Sequence, residues 1–127
     1  ALILVGAILS IMSLVSTQPV SSLRMDEIAT QYGYQNEIHL FEARDGFILS
    51  LFRIMGREGQ EQAGSRGPIL FLSGLNLDAR SFLHQGSETS PPFVLANEGY
   101  DVWMVNPRAT ETSRAHVDRS PNGNPET

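Results

Sequence analysis

Two short apolar runs, Pro68 to Leu72 (PILFL) and Tyr100 to Val105 (YDVWMV), flank a single helix signal, and this arrangement constrains the fold more than any other feature. Continuous apolar runs of this length read as strands buried on both faces. Between them, Ser90-Pro91-Pro92 opens a helix. Ser is a good N-cap, and Pro fits the first helical position, where its missing N–H costs nothing. Phe93 to Glu98 forms the helix body, with Gly99 as its terminator. A strand-helix-strand unit of this kind predicts two parallel strands joined by a crossover.

Upstream, Glu37 to Ala43 and Phe47 to Ile54 are two β-type runs joined through Arg44-Asp45-Gly46. Asp-Gly between apolar runs is a strong hairpin signal, because Gly accepts the positive φ of a tight turn. Met25 to Gln31 reads as one or two helical turns ending at Gly33, and Met55 to Gly67 as a solvated loop. The predicted class is therefore α/β: an antiparallel lead-in hairpin, then strand-helix-strand of a mostly parallel sheet.

The chain of 127 residues carries no charge from Ala1 to Leu23. Ala1 to Val15 is nearly all apolar and runs into the small polar stretch Ser16-Thr17-Gln18-Pro19, the pattern of a signal-peptide core and cleavage zone. A membrane anchor and a buried helix are the alternatives. Residues 1–22 are thus expected to be a leader that directs the protein to secretion or to the lysosome, and residues 23–127 a partial domain.

Nine Arg and no Lys stand against 14 acidic residues, a net charge of -5 that argues against the Lys/Arg surface that counterion-release binding needs; no nucleic-acid partner is expected. The absence of Cys removes thiolate nucleophiles and Cys-ligated metal. The three histidines, His39, His84 and His116, have no ligand spacing, so neither metal nor cofactor is expected. His39 reads as a structural strand residue, His84 as solvated, Trp103 as a core residue, and Arg108 and Arg114 as ion-pair residues for which Asp101 is a candidate partner.

Tyr32-Gly33-Tyr34, Glu37, His39, Asp45 to Leu49 and Arg53-Ile54 resemble the amino-terminal signature of the acid lipases, the gastric and lysosomal lipase family of the α/β-hydrolase fold. The resemblance continues in order through Ser73-Gly74-Leu75, Ala96 to Trp103, Asn106-Pro107-Arg108 and Ser113 to His116, to Ser120-Pro121. It implies a serine ester hydrolase acting on neutral lipid esters, triacylglycerol or sterol ester, at a lipid–water interface. It also implies that Pro68 to Leu72 is the strand before the oxyanion loop, that Ser73-Gly74-Leu75 is that loop, and that the backbone N–H of Leu75 is a donor to the oxyanion. Gly74 is then expected where backbone must approach substrate without a Cβ.

The nucleophile elbow G-x-S-x-G does not occur in the chain. Ser73, Asp101 and His116 follow the order Ser, Asp, His, yet no triad is expected of them; the nucleophile, acid and base would lie beyond Thr127, and the chain by itself should be inactive. Ser73 stands where the family carries His, Val105 and Ala109 where it carries Gly, and Thr112 where it carries Tyr. The two Gly replacements are expected to burden any backbone with positive φ. A lipase-like protein that binds lipid or a partner without catalysis is the alternative reading.

Overall fold

A computed structural model describes residues 23–118 of the chain, so the apolar leader and Ser120-Pro121 lie outside the described residues. The elements, in order, are helix α1 (Met25–Gln31), strands β1 (Tyr34–Glu42), β2 (Ile48–Arg57) and β3 (Pro68–Leu72), a 3-10 turn (Ala79–Phe82), helix α2 (Pro91–Asn97) and strand β4 (Asp101–Asn106). They form one four-stranded mixed sheet in the order β1-β2-β4-β3. β1 and β2 are the expected antiparallel hairpin, with Glu42 opposite Ile48. Its turn is closed by Gly46 N–H donating to Ala43 O at 2.9 Å, with Gly46 at φ +85°. A Cβ on Gly46 would also sit 2.8 Å from the His116 ring, so the turn and its neighbour both require glycine.

β3 and β4 are parallel, in register from Pro68 opposite Asp101 to Leu72 opposite Val105, and α2 makes the crossover. The helix signals fall where expected: Ser90 is the N-cap, Pro91 leads the first turn and Gly99 follows the C-cap at φ +91°. Ser90 caps with its backbone carbonyl, which accepts from Phe93 and Val94, while its hydroxyl is buried without a partner. β2 runs three residues past the expected end, so the solvated loop begins at Glu58.

Burial departs from the expectation of strands covered on both sides. β3 alternates between exposed and half-buried residues, and Leu70 and Leu72 are 57% and 69% exposed. β4 alternates as well: Val102, Met104 and Asn106 are buried, while Asp101, Trp103 and Val105 lie half-open on the other side. The core occupies one face of the sheet, where Phe52, Ile54, Val102 and Met104 pack against Met25 and Ile28 of α1, Phe93 and Ala96 of α2, and Ala79 and Leu83. Tyr34 stacks on Phe93 at 4.5 Å between ring centres. Among the described residues both helices pack on that face, and β3 pairs on one side only, with β4. Successive side chains of a strand point to opposite faces, so a run that is apolar at every position leaves half of its side chains on the open face.

Trp103 is the clearest correction to the sequence reading. Instead of filling the core it lies on the open face, where its indole N–H donates to Asp101 at 3.0 Å and the Arg53 guanidinium covers its ring at 4.8 Å. Arg53, opposite Trp103 in register, forks onto both oxygens of Asp101 at 2.8 and 3.0 Å and reaches Glu37 at 3.0 Å. Asp101 therefore finds its partner in Arg53, and neither Arg108 nor Arg114 takes that place. The hydrogen bonds from Arg53, aided by that from Trp103, hold the Asp101 carboxyl below the usual carboxylate range against the opposing effect of its burial. His39 joins the same cluster through Glu37, at 2.8 Å.

Candidate functional site

In open parallel sheets, ligand sites form in the crevice beyond the carboxyl ends of the strands. Here β3 ends at Leu72 and β4 at Asn106, and the segments leaving them, residues 73–78 and 107–110, face each other across a cleft of about 600 Å³.

The first lip is a tight turn. Leu77 N–H donates to Gly74 O at 3.1 Å, and the Ser73 hydroxyl donates to Leu77 O at 2.9 Å. Asn76 has φ +60°, which places a left-handed residue at the third position, as a type II turn requires. Asn tolerates this conformation better than other non-glycine residues. Leu75 sits at the tip, 92% exposed, and among the described residues no group accepts its backbone N–H. Gly74 has no positive φ, and a Cβ there would meet only Leu77 at an ordinary 3.7 Å, so the turn itself does not require glycine at 74. The conformationally demanding position is Asn76. Ser73 supplies the hydroxyl that closes the turn.

The second lip carries the strain foreseen at one of the two replaced glycines. Ala109 has φ +70°, a conformation that costs an alanine about 1–2 kcal/mol. Val105 does not share it, being a regular residue of β4 paired with Leu51 and Leu72. Arg108, beside Ala109, pairs with Asp45 at 2.7 Å and lies over the Phe47 ring at 4.9 Å, the ion-pair role expected of it with a different partner. Arg114 is exposed and has no carboxylate partner among the described residues.

Both lips are rooted in a buried polar knot that had no signature in the sequence. Asn106, 1% exposed at the end of β4, accepts from Ala79 N–H at 2.9 Å through its side-chain oxygen. Its amide nitrogen donates to the hydroxyls of Ser50 and Thr112, both at 2.9 Å. Ser113 Oγ accepts from Ser50 N–H at 2.8 Å and donates to Asn106 O at 2.9 Å. Asp78 caps the 3-10 turn by accepting from Arg80 N–H at 2.9 Å, and Arg80 bridges Asp78 at 2.7 Å and Glu111 at 3.2 Å, tying one lip to the other a second time. The Asp78 hydrogen bond raises the Arg80 pKa further, so its charge is permanent.

Ser73, Asp101 and His116 are not brought together. Asp101 opens β4 and Ser73 follows the far end of the parallel β3, about 16 Å apart at the rise of a strand. His116 packs edge-on against Phe47 at 4.8 Å, with Nε2 2.9 Å from Asp45 O, at the hairpin turn. His84 is exposed on the surface, and no group of three candidate ligands lies together among the described residues.

Residues 25–86 match a family model described as the partial alpha/beta-hydrolase lipase region. The chain is 36% identical over 105 residues to the lysosomal acid lipase/cholesteryl ester hydrolase of Homo sapiens, covering 81% of this chain and 26% of the relative. It is 34% identical over 105 residues to the gastric triacylglycerol lipase of Mus musculus, with 81% and 26% covered. Against triacylglycerol lipase 2 of Arabidopsis thaliana it is 39% identical over 93 residues, with 71% and 22% covered. The chain spans about a quarter of the length of the curated relatives it matches.

Proposed function

Because this chain belongs to the acid lipase family of the α/β-hydrolase fold, we propose that it forms part of a serine ester hydrolase acting on neutral lipid esters, triacylglycerol or sterol ester, and that residues 73–78 are its oxyanion loop. The observation that carries this reading is the Leu75 N–H, without an acceptor among the described residues at the tip of a hydrogen-bonded turn on the cleft. A donor fixed before substrate arrives stabilises the charge that develops on the carbonyl oxygen without reorganising at the moment of reaction. In this reading the chain supplies the oxyanion loop but not the triad, and residues 1–22 serve as the leader for secretion or delivery to the lysosome. No helix among the described residues is long and apolar enough to cross a membrane.

Leu75→Pro is a selective test, because the second position of a type II turn accepts proline while the N–H is deleted. In the full reading frame that carries this chain, kcat for a short-chain ester should fall about 100- to 1000-fold, with KM little changed. Unchanged hydrolysis by the folded variant would overturn the loop assignment. Ala109, strained on the opposite lip, favours a second reading as a lipase-like lipid binder without catalysis. Binding of triacylglycerol emulsion by a full-length protein that hydrolyses no ester would establish it.

A further inference from the structure

We infer that Asn106 is the positioning residue of the cleft: one buried amide sets both lips, and with them the direction of the Leu75 N–H. The inference rests on the oxyanion reading for its catalytic consequence and on geometry alone for the placement.

The loop of residues 73–78 is held at three points. At its start it continues β3, and in its middle the turn is closed by Ser73 and Gly74. At its far end Asp78 O accepts from Ser81, and the next backbone group, Ala79 N–H, is tied across to β4 by Asn106 Oδ1. Deleting that acceptor leaves a buried N–H unpaired and lets the loop's far end drift. The same side chain holds the second lip through Thr112 and is itself aimed by Ser50 of β2. Every polar atom of the Asn106 side chain is thereby used, its oxygen by one donor and its nitrogen by two hydroxyls, with Met25 Sδ a longer contact at 4.0 Å. A fully satisfied buried network has one low-energy arrangement, which is what a donor held in advance of reaction needs.

Asparagine suits this position because it presents an acceptor and a donor from one rigid plane. Aspartate keeps the acceptor for Ala79, and the Ser50 and Thr112 hydroxyls can turn to donate to its second oxygen. It is therefore the rescuing variant. Alanine removes all three bonds.

The test compares Asn106→Ala, Asn106→Asp and Thr112→Val in the full reading frame, using hydrolysis of a soluble short-chain ester and amide hydrogen exchange of residues 74–79. Asn106→Ala should lower kcat about 10- to 100-fold with KM within about twofold, and should speed exchange at Ala79 about tenfold or more. Asn106→Asp should recover most of both. Thr112→Val, which removes one tie on the side of the second lip and leaves the acceptor for Ala79, should lower kcat about threefold and leave Ala79 protected. If Asn106→Ala fails to fold, the Thr112→Val and Asn106→Asp results decide the matter. Wild-type kcat in Thr112→Val together with wild-type exchange at 74–79 in a folded Asn106→Ala overturns the inference, and so does loss of Ala79 protection in Asn106→Asp. If the wild-type protein hydrolyses no ester, the oxyanion reading falls, and the exchange data alone decide whether Asn106 places the loop.

Discussion

The two faces of the sheet are made by the same strands and differ in almost everything else. On the covered face, Phe52, Ile54, Val102 and Met104 are excluded from solvent beneath α1 and α2. On the open face the same strands present Arg53, Asp101 and Trp103 locked in an ion-pair and stacking cluster, flanked by Leu70 and Leu72 standing in solvent. The stability of the described residues therefore comes from one side. The other side is organised by charge pairing and by the partly exposed rings of Trp103, His39 and Phe41.

The largest expected effect lies on the covered face. Phe52→Ala, which empties a site at the centre of the core, should cost about 3–5 kcal/mol in a denaturant titration. A cost below 1 kcal/mol would mean that the core does not close there, and the contrast between the faces would disappear.

On the open face, Asp101→Asn should cost about 1–2 kcal/mol near neutral pH, the range of a charge-assisted hydrogen bond discounted for partial exposure. The sign of its pH dependence is fixed. Because Arg53 lowers the Asp101 pKa, the carboxylate stabilises the fold above the ordinary carboxylate range, and that contribution is lost as pH falls through the lowered value. Thermal melts of wild type and Asp101→Asn should thus differ most at neutral pH and converge in strong acid. A difference that grows on acidification would show that Arg53 is not the dominant partner.

The cleft supplies a smaller and opposite effect. Ala109→Gly should raise stability by about 1 kcal/mol, since it relieves the left-handed strain at this position. Equal or lower stability would place Ala109 in an ordinary conformation. Leu72→Ser should change stability by less than about 0.5 kcal/mol, as for any side chain that solvent already reaches. A cost of several kcal/mol in a longer form of the protein would identify Leu72 as covered there.

These contrasts also show which parts of the fold could be read from residues alone. The hairpin was legible because Asp45-Gly46 writes its turn into adjacent residues, and α2 because Ser90-Pro91 and Gly99 mark both ends. The Ala109 strain was legible as a departure from a glycine pattern. One-sided burial was not, because Pro68 to Leu72 is apolar at every position and carries no alternation to show which half faces solvent. Trp103 was misplaced for the same reason: its size suits a core, and only the register opposite Arg53 puts it outside. The Asn106 knot joins residues 50, 79, 106, 112 and 113 through side chains whose sequence spacing has no period, so it exists only in the folded chain.

The single-sided pairing of β3 has a practical consequence for anyone handling the protein. Among the described residues no strand pairs with its outer edge beside Leu70 and Leu72, and no charged residue occurs from Pro68 to Leu72 to repel an approaching strand. Natural edges are commonly guarded by lysine, proline or a bulge, and this one has only Pro68 at its first position. Solutions of the chain should accordingly self-associate as concentration rises, and a charge placed at Leu70 is the mildest way to keep them dispersed.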